Sequence, residues 1–305
     1  MSLILNSLDG SNPLAFLAAL GTFRLIHLAG EREVKLRWVR DGAWRPELVG
    51  HETDERSLCV RLLRAAKEFL PSEMFTEILG QDITVDQSKF REFVRAAHES
   101  TAAGDRNMSD FAASFGSEVR VQEGKERIEY TDLCFITGSG HQHFLGAMRE
   151  LKQNTLADHI YDALFGEWKK NKKLSMRWDP SDAAEYAFRW GDPSAEGASA
   201  VWGANLLAIH ALPFFVAQPT ARGLRTTGFR YPKQRPEFTW PIWTGPVSVD
   251  TVRSLISLSE LQEDEGDLNH AALQARGIAE VYRAPRVRIG QGANFKVSFR
   301  PARAV

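Results

Sequence analysis

The sequence predicts an α+β protein, with mixed helices and antiparallel strands around a buried N-terminal helix, in one domain or in two lobes. Residues 11–30 carry apolar side chains at helical spacing, whereas residues 34–38 alternate apolar and charged side chains as a half-buried strand does. Further along the chain, strands and helices do not alternate regularly, which argues against a parallel α/β sheet. Mixed elements of this kind are typical of α+β folds.

The first helix is the most strongly indicated element. Ser11 or Asn12 can cap its free backbone donors, Pro13 suits its first turn and Gly30 suits its carboxyl-terminal cap. Its apolar surface is wide enough to belong inside the protein. Gly21 in mid-helix costs about 1 kcal/mol relative to alanine, so we expect another part of the chain to approach the helix backbone closely there.

The rest of the first half combines a hairpin with a helical block. Asp41-Gly42 offers the turn of the hairpin, and Asp54 and Asp86 can cap two of the helices. Residues 98–107 are small and polar and are the best loop candidate in this half. The predicted strands are 34–38, 44–49, 118–121 and 127–137. The predicted helices are 55–70, 87–98, 144–151 and 156–165.

The second half ends in a pair of strands. Pro213 ends an apolar helix that we expect to be buried, and Asp250 can cap a later helix. If the chain has two lobes, residues 1–166 form the N-terminal lobe and residues 167–305 form a basic and aromatic lobe. The predicted helices are 181–188, 198–212, 250–258 and 269–276, and the predicted strands are 279–290 and 295–299.

Composition places the chain among ordinary globular proteins. Of its 305 residues, 43% are hydrophobic and 25% are charged, and its formal net charge is −1, so any nucleic-acid surface has to be a local patch. Cys59 and Cys134 lie in apolar surroundings, which indicates buried free thiols of a cytosolic protein. The apolar run 13–29 contains Arg24 and His27 and has no basic leader, which indicates neither a signal peptide nor a membrane span. We therefore expect a cytoplasmic protein without membrane contact.

The segment 220–243 carries the strongest functional signal. It interleaves basic with planar side chains, and its prolines keep it extended. Basic groups bind phosphate oxygens, and aromatic faces accept unstacked bases. A surface hairpin with solvated arginines and inward-facing aromatic rings is the alternative interpretation. The predicted phosphate and base contacts here are Arg222, Arg225, Phe229, Arg230, Tyr231, Lys233, Arg235 and Trp240.

Two further basic clusters lie in the second half of the chain. Each cluster alone is more often a solvated surface, but three clusters in one half of a near-neutral chain favour nucleic-acid contact. The clearest acidic run, residues 260–267, is interpreted as a solvated helix start or loop. If strand side chains alternate, the two arginines of the later cluster project from one face. The predicted contacts of these clusters are Lys169, Lys170, Lys172, Lys173, Arg286 and Arg288.

The Gly-rich segment TGSGHQH resembles a phosphate-binding turn between a strand and a helix. Its glycines would let backbone donors approach an anion at the start of the helix. It lacks the Gly-Lys-Ser/Thr ending of a nucleoside-triphosphate loop and is not GxGxxG, so a nucleotide site is the weakest of its interpretations. A nucleic-acid backbone contact and a tight structural turn both stay open. The candidate loop consists of Gly138, Ser139, Gly140, His141 and Gln142.

Enzyme chemistry has little support in the sequence. His141 and His143 are two residues apart, and together with Asp132 they could serve a metal-dependent phosphoesterase. No His-Asp doublet, Cys-x-x-Cys pair or nucleophile-elbow serine accompanies them. We therefore predict a non-catalytic protein with no cofactor and no metal, and keep the phosphoesterase as an alternative.

Four blocks of the sequence together resemble a family from CRISPR–Cas loci. They are LDGSNPLAFLAALGTFRL, TGSGHQHFL, MRWDPSDAAEYAFRW and WGANLLAIHALPFF…TTGF…FTWPIW. The family comprises large-subunit-like accessory proteins of type I-G systems (formerly I-U), including proteins described as an extension of the Cas helicase-nuclease. The resemblance implies a non-catalytic subunit of an RNA-guided interference complex, which contacts target DNA and its flanking motif while a partner cleaves. At 305 residues the chain is short for a large subunit.

The preferred hypothesis is therefore a nucleic-acid-binding subunit of a type I CRISPR ribonucleoprotein. Its expected partners are guide RNA, target DNA, other effector subunits and the helicase-nuclease. A protein–protein interaction subunit without nucleic-acid contact is the alternative, because eight tryptophans suit a binding interface.

Overall fold

Helix α1 (Pro13–Leu28) lies at the centre of the fold, and every residue of it from Pro13 to Ile26 is buried. The computed structural model describes residues 1–51, 54–138, 142–181, 199–233, 235–291 and 294–305. Asn12 is the cap of α1, since its side chain accepts hydrogen bonds from the backbone N–H groups of Leu14 and Ala15. The helix surface is apolar all round, which is why it is surrounded by other elements.

The close approach predicted at Gly21 is confirmed. Helix α1 packs against a second buried helix, Trp202–Ile209, and a Cβ atom at position 21 would lie 1.7 Å from the carbonyl oxygen of Leu207. The second helix makes a similar close contact of its own, because a Cβ atom at Gly203 would lie 2.0 Å from the carbonyl oxygen of His159. Glycine thus allows the three backbones to stack at close distance.

A three-stranded antiparallel sheet covers one side of α1, in the order β1 (Ser2–Ile4), β3 (Ala43–Val49), β2 (Lys35–Asp41). The predicted hairpin is confirmed, with Asp41 opposite Ala43 around Gly42 at φ +65°. The alternation also holds, because Leu36 and Trp38 are buried while the neighbouring positions face outward.

The first half continues as a helical block, which includes two helices that the pattern did not indicate, Ser72–Leu79 and Asn107–Phe115. Asp54 caps its helix through the N–H of Ser57, whereas Asp86 makes no such hydrogen bond. Aromatic rings from three of these helices meet around Phe75, which contacts Phe93, Phe111 and Phe115. The helices are α2 (Glu55–Phe69), α3 (Ser72–Leu79), α4 (Gln87–Ala102), α5 (Asn107–Phe115), α6 (Phe144–Asn154) and α7 (Ala157–Leu164).

The strand predicted at 127–137 is wrong beyond Tyr130. Strands β4 (Gly116–Val121) and β5 (Ile128–Tyr130) form a short ribbon, after which the chain turns. The turn is held by a hydrogen bond from the N–H of Cys134 to the carbonyl oxygen of Thr131. The apolar residues that follow are buried without a strand partner, so their hydrophobicity reflects burial in the core and not a strand.

The second half is dominated by a five-stranded antiparallel sheet. Its order is β10 (Phe229–Arg230), β11 (Glu237–Trp243), β12 (Ile278–Gln291), β13 (Asn294–Phe299), with β14 (Arg303–Ala304) also paired to β12. The predicted closing strand pair is therefore confirmed. Two separate ribbons accompany the sheet. They are β6 (Asn171–Lys172) with β7 (Ser199–Ala200) and β8 (Ala217–Thr220) with β9 (Gly223–Thr226).

The remaining α-helices that lie wholly within the described ranges are α8 (Trp202–Ile209), α9 (Val249–Ile256) and α10 (His270–Ala275). Helix α8 is buried as predicted and ends before Pro213. Ser248, not Asp250, caps α9 by accepting a hydrogen bond from the N–H of Thr251, which places Asp250 inside the first turn. The helix predicted at 181–188 lies outside the described residues after its first position.

The observed architecture is α+β, as predicted from the sequence. One hydrophobic cluster includes residues from both halves of the chain, with α1 and α8 packed at its centre. The division at 166–167 stays a prediction. Cys59 and Cys134 are both buried free thiols. Within the described ranges, no helix combines the length and apolar composition that a membrane span requires.

Candidate nucleic-acid interface

The basic and aromatic segment 220–243 folds into two adjacent hairpins. The first joins β8 to β9 through a tight turn at Ala221 and Arg222, and the second joins β10 to β11 through residues 231–236. Hydrogen bonds link the two hairpins, since the N–H of Thr226 donates to the hydroxyl oxygen of Tyr231 at 2.7 Å. The extended conformation expected from the prolines is therefore present, but the segment doubles back and does not run as one straight ribbon.

The aromatic rings of this segment face the core, so the prediction that Phe229 or Trp240 stacks on a base is wrong. Phe229 is 2% exposed and Trp240 is fully buried. Phe238 lies between them, with ring centroids 5.3 Å and 5.0 Å away. Phe16 of α1 closes the cluster from the other side. Burial of these large rings in the centre of the sheet outweighs any role at the surface.

Arg230 is likewise unavailable to a phosphate, which corrects its prediction as a contact. Its guanidinium donates to the carboxylates of Glu237, at 3.0 Å, and of Asp264, and its side chain is only 9% exposed. A buried cation needs such partners, because removing it from water without them is costly. Arg230 thus connects β10 to the acidic run.

The acidic run 260–267 is more than a solvated loop. Its carboxylates neutralise arginines from three parts of the second half: Asp264 pairs with Arg230, Glu260 with Arg276 and Glu265 with Arg303. Hydrogen bonds from these arginines lower the pKa of Glu260 and of Glu265. Several of the clustered basic residues are therefore already paired with carboxylates of this acidic run.

In the later basic cluster, Arg283 and Arg286 make contacts with other parts of the protein. Arg283 is fully buried, donates to the carbonyl oxygen of Glu263 at 2.6 Å, and has its pKa lowered to about 10 by burial. Arg286 donates to the carbonyl oxygen of Cys134 at 3.3 Å, and its guanidinium lies over the Phe135 ring. Arg286 is half-buried, so its role as a phosphate contact stays a prediction, while Arg288, two residues further on β12, is exposed.

Three basic side chains at the ends of the two hairpins remain exposed, namely Arg222 on the first and Lys233 and Arg235 on the second. Within the described part of the chain, no acidic side chain pairs with any of them. We call these three residues the hairpin cations. Among the contacts predicted in the segment 220–243, they are the ones that the structure leaves free to meet a phosphate.

Arg225 and Tyr231 lie beside the hairpin cations and form a stacked pair, with the guanidinium carbon 4.4 Å from the ring centroid. The Tyr231 hydroxyl donates to the carboxylate of Asp132 at 2.6 Å. Burial and the nearby Asp132 charge raise the pKa of Tyr231, and burial raises the pKa of Asp132. Both aromatic and basic members of this pair were predicted contacts, and the half-buried Arg225 is held in place by the ring beneath it.

A cleft of about 780 Å³ opens between the hairpins and the acidic run. Arg225, Tyr231 and Lys233 of the hairpins line it, together with Glu263 and Asp264 of the acidic run. We call it the hairpin cleft. Its lining carries both signs of charge, which distinguishes it from a uniformly basic phosphate groove.

The lysine cluster lies apart from the hairpins, on the β6–β7 ribbon and the residues before it. Lys169 pairs with Asp162 at 3.2 Å, and Lys170 donates to the Ser181 hydroxyl at 3.2 Å. Lys172 and Lys173 are exposed. Because this ribbon shares no strand pairing with the hairpins, the three basic clusters do not form one sheet face.

The Gly-rich segment is only partly described, since Ser139, Gly140 and His141 lie outside the described residues. Its two ends are joined, because the N–H of Gly138 donates to the carbonyl oxygen of Gln142 at 2.8 Å. The side chain of Gln142 accepts from the guanidinium of Arg177 at 2.6 Å. The role of the segment as a phosphate contact stays a prediction.

Two residues of the phosphoesterase alternative, His143 and Asp132, are described and lie in separate hydrogen-bond networks, while His141 lies outside the described residues. His143 Nδ1 is 2.6 Å from the carboxylate of Asp82, whose second oxygen accepts the N–H of Phe144 at the start of α6. Asp132 instead binds Tyr231. Among the described residues, no group of three histidine, cysteine or acidic side chains is placed to hold a metal ion. Asp82, the partner of His143, is 61 residues away in the sequence, so no local sequence pattern indicates this pair.

No protein-family model matches this sequence, and no curated protein matches it. The resemblance to accessory proteins of type I-G CRISPR–Cas systems therefore stays a prediction. The hairpin cations, the Arg225–Tyr231 pair and the hairpin cleft together form the candidate site.

Proposed function

We propose that this protein is a non-catalytic nucleic-acid-binding subunit of a type I CRISPR ribonucleoprotein, acting in the cytoplasm with guide RNA, target DNA and partner effector subunits. The supporting observation is the group of unpaired hairpin cations on two adjacent loops, next to the Arg225–Tyr231 pair. The resemblance supplies the biological setting, and cleavage is assigned to a helicase-nuclease partner.

The contrast between paired and unpaired arginines supports phosphate binding at this surface. Arg276 and Arg303 are exposed but already neutralised by Glu260 and Glu265. A phosphate would have to compete with those carboxylates, whereas at the hairpin cations it competes only with water and counterions. Affinity for nucleic acid is therefore expected to come from the hairpin ends.

The size of the surface limits how many phosphates it can neutralise. Arg222, Lys233, Arg235 and the half-buried Arg225 supply about four contacts. The logarithm of affinity should then fall with the logarithm of salt concentration at a slope of about −3 for a single strand and about −3.5 for a duplex. Such a small contact set suits a subunit that holds a strand while base pairing elsewhere reads the sequence.

The experiment compares two triple variants in fluorescence-anisotropy titrations with short single-stranded DNA, single-stranded RNA and duplex DNA. Arg222→Gln/Lys233→Gln/Arg235→Gln removes the hairpin cations. Arg253→Gln/Arg276→Gln/Arg303→Gln is the matched control, because it removes three exposed arginines that are paired with carboxylates. Circular dichroism checks that both variants fold.

We expect the first variant to bind at least about tenfold more weakly at roughly 50 mM salt and to lose about 2 to 3 units of salt slope. The control should keep the wild-type slope. No binding by the wild-type protein, alone or with its partner subunits, would contradict the proposal. Unchanged binding together with failed assembly of the first variant would instead favour the protein–protein interaction alternative.

A further inference from the structure

The hairpin cleft contains one carboxylate that is not used by the protein. Its neighbours Glu260, Asp264 and Glu265 are all paired with arginines. Glu263 is exposed and lines the cleft; within the described ranges its carboxylate has no partner, since Arg283 binds its backbone carbonyl instead. This free acid lines the same cleft as Arg225 and Lys233.

An exposed carboxylate in the same cleft as two cations restricts what the cleft can bind. A phosphate next to Glu263 would be repelled, so the occupant has to present hydrogen-bond donors to Glu263 and negative charge to Arg225 or Lys233. A nucleotide has both features, with N–H groups on the base and a phosphate at the sugar. The volume of about 780 Å³ lies within the range of small-ligand sites and exceeds what one base needs.

The two oxygens of a carboxylate select among the bases. Guanine presents two adjacent donors, N1–H and N2–H₂, which match a carboxylate in the same bidentate way as a guanidinium does. Cytosine and adenine present one amino group next to an acceptor nitrogen, which would lie against the second oxygen. Thymine and uracil present a single N–H between two carbonyl groups. Guanine is therefore the best fit.

Arg225 provides a surface on which such a base can stack. Its guanidinium lies over the Tyr231 ring, both residues line the cleft, and Tyr231 is hydrogen-bonded to Asp132. Unstacked bases in single strands commonly stack on guanidinium planes and are read along their Watson–Crick edges. Lys233, at the rim, is placed for the adjoining phosphate.

We propose that the hairpin cleft binds one unpaired guanine of a single-stranded nucleic acid, with Glu263 accepting from its Watson–Crick edge, Arg225 stacking on it and Lys233 holding the neighbouring phosphate. The inference rests on the proposed nucleic-acid function and adds the base that the cleft selects.

The test measures binding of thymidine oligonucleotides of about 12 residues that carry a single central guanine, hypoxanthine, cytosine or adenine, against the all-thymine strand. Glu263→Gln replaces the carboxylate by an amide. Glu265→Gln is the control, because Glu265 is paired with Arg303. Free 5′-GMP, as a competitor, tests whether the site takes a base in a strand or a free nucleotide.

We expect the guanine strand to bind about tenfold more tightly than the all-thymine strand, with the hypoxanthine strand in between because it lacks the 2-amino group. Glu263→Gln should remove this preference while all-thymine binding is kept, and Glu265→Gln should leave the preference unchanged. Neighbouring phosphates contribute in the strand, so 5′-GMP should compete at least about a hundredfold more weakly.

Several results would overturn the inference: equal affinity for guanine and thymine strands, tightest binding of the cytosine or adenine strand, a guanine preference that survives Glu263→Gln, or 5′-GMP binding as tight as the oligonucleotide. All of these leave the proposed function intact, because a strand is still bound. Failure of every strand to bind at low salt would instead contradict the proposed function itself.

Discussion

The hydroxyl of Tyr231 donates a hydrogen bond of 2.6 Å to the carboxylate of Asp132, 99 residues earlier in the chain. The hydroxyl oxygen of Tyr231 also accepts a hydrogen bond from the N–H of Thr226. The Tyr231 side chain therefore connects strand β9, the second hairpin and the turn after β5. Both Tyr231 and Asp132 have raised pKa values, with burial as the main cause. Because these hydrogen bonds hold the Tyr231 side chain, the ring on which Arg225 stacks has a fixed position.

Removing the Tyr231 hydroxyl tests how much these two hydrogen bonds contribute to stability. Tyr231→Phe leaves a buried carboxylate and the Thr226 N–H without their partner, so we expect a loss of about 1 to 3 kcal/mol in the free energy of unfolding. Urea denaturation measures it. Tyr161→Phe is the control, since the half-buried ring of Tyr161 lies under Arg56 and its hydroxyl holds no comparable network. A loss equal to that of the control would show that the hydrogen bonds contribute nothing.

Arg230 should affect stability and not nucleic-acid binding. Arg230→Met removes the cation that neutralises Glu237, whose side chain is 12% exposed, and leaves that carboxylate unpaired at a buried position. We expect unfolding to become easier by about 3 kcal/mol. Under conditions where the variant is folded, its salt slope on DNA should equal that of the wild type. A reduced slope would mean that Arg230 contacts a phosphate after all.

Gly21 should tolerate no side chain. Gly21→Ala would place a methyl group 1.7 Å from the Leu207 carbonyl oxygen, and two buried helices would have to separate to relieve it. We expect a loss of at least about 2 kcal/mol, measured by thermal or urea unfolding. Gly245→Ala is the matched control, because nothing lies within 4 Å of the corresponding Cβ position. Equal stability of the two variants would contradict the observed α1–α8 packing.

The stability of the protein should fall in mild acid because of His210. Burial, followed by the nearby Arg24 charge, lowers the pKa of this histidine to about 3, and its Nε2 lies 3.1 Å from the Ala66 carbonyl oxygen. The unfolded chain binds a proton near pH 6.5, whereas the folded chain does not until about pH 3. Stability is therefore fully present above about pH 6.5 and is lost as the pH falls below it.

We expect His210 to account for about 2 kcal/mol of lost stability between roughly pH 7 and pH 5. His210→Gln removes the titrating group, so the difference in unfolding free energy between the two pH values should shrink by that amount. The exposed His98→Gln serves as the control and should leave the difference unchanged. An identical pH dependence in wild type and His210→Gln would rule out the assignment to this residue.

The elements with a complete local pattern were predictable from the sequence. Helix α1 has its cap, its apolar surface and its mid-helix glycine within one stretch of chain, and the β2–β3 hairpin has its turn and its alternation. The predicted strand beyond Tyr130 failed because an apolar run reports burial equally well in a strand and in a buried turn. Helix α3, a short amphipathic segment beginning at Ser72, was not predicted at all.

The candidate site was predictable only as a set of residue types. The sequence placed arginines and aromatic rings in one segment, but Phe229 faces the core, Arg230 is paired and Arg222 is free, although all three lie within nine positions. Glu263 was part of an acidic run interpreted as solvated, and no local signal separates it from its paired neighbours.

Local chain chemistry was sufficient for the α+β class, the buried first helix, the two buried thiols and the concentration of positive charge toward the carboxyl terminus. Tertiary folding decided which of those charges face solvent, because it brings the acidic run at 260–267 next to Arg230, Arg276 and Arg303. An ion pair depends on a separation of a few ångströms between side chains, and sequence distance does not report that separation when the partners lie on different elements.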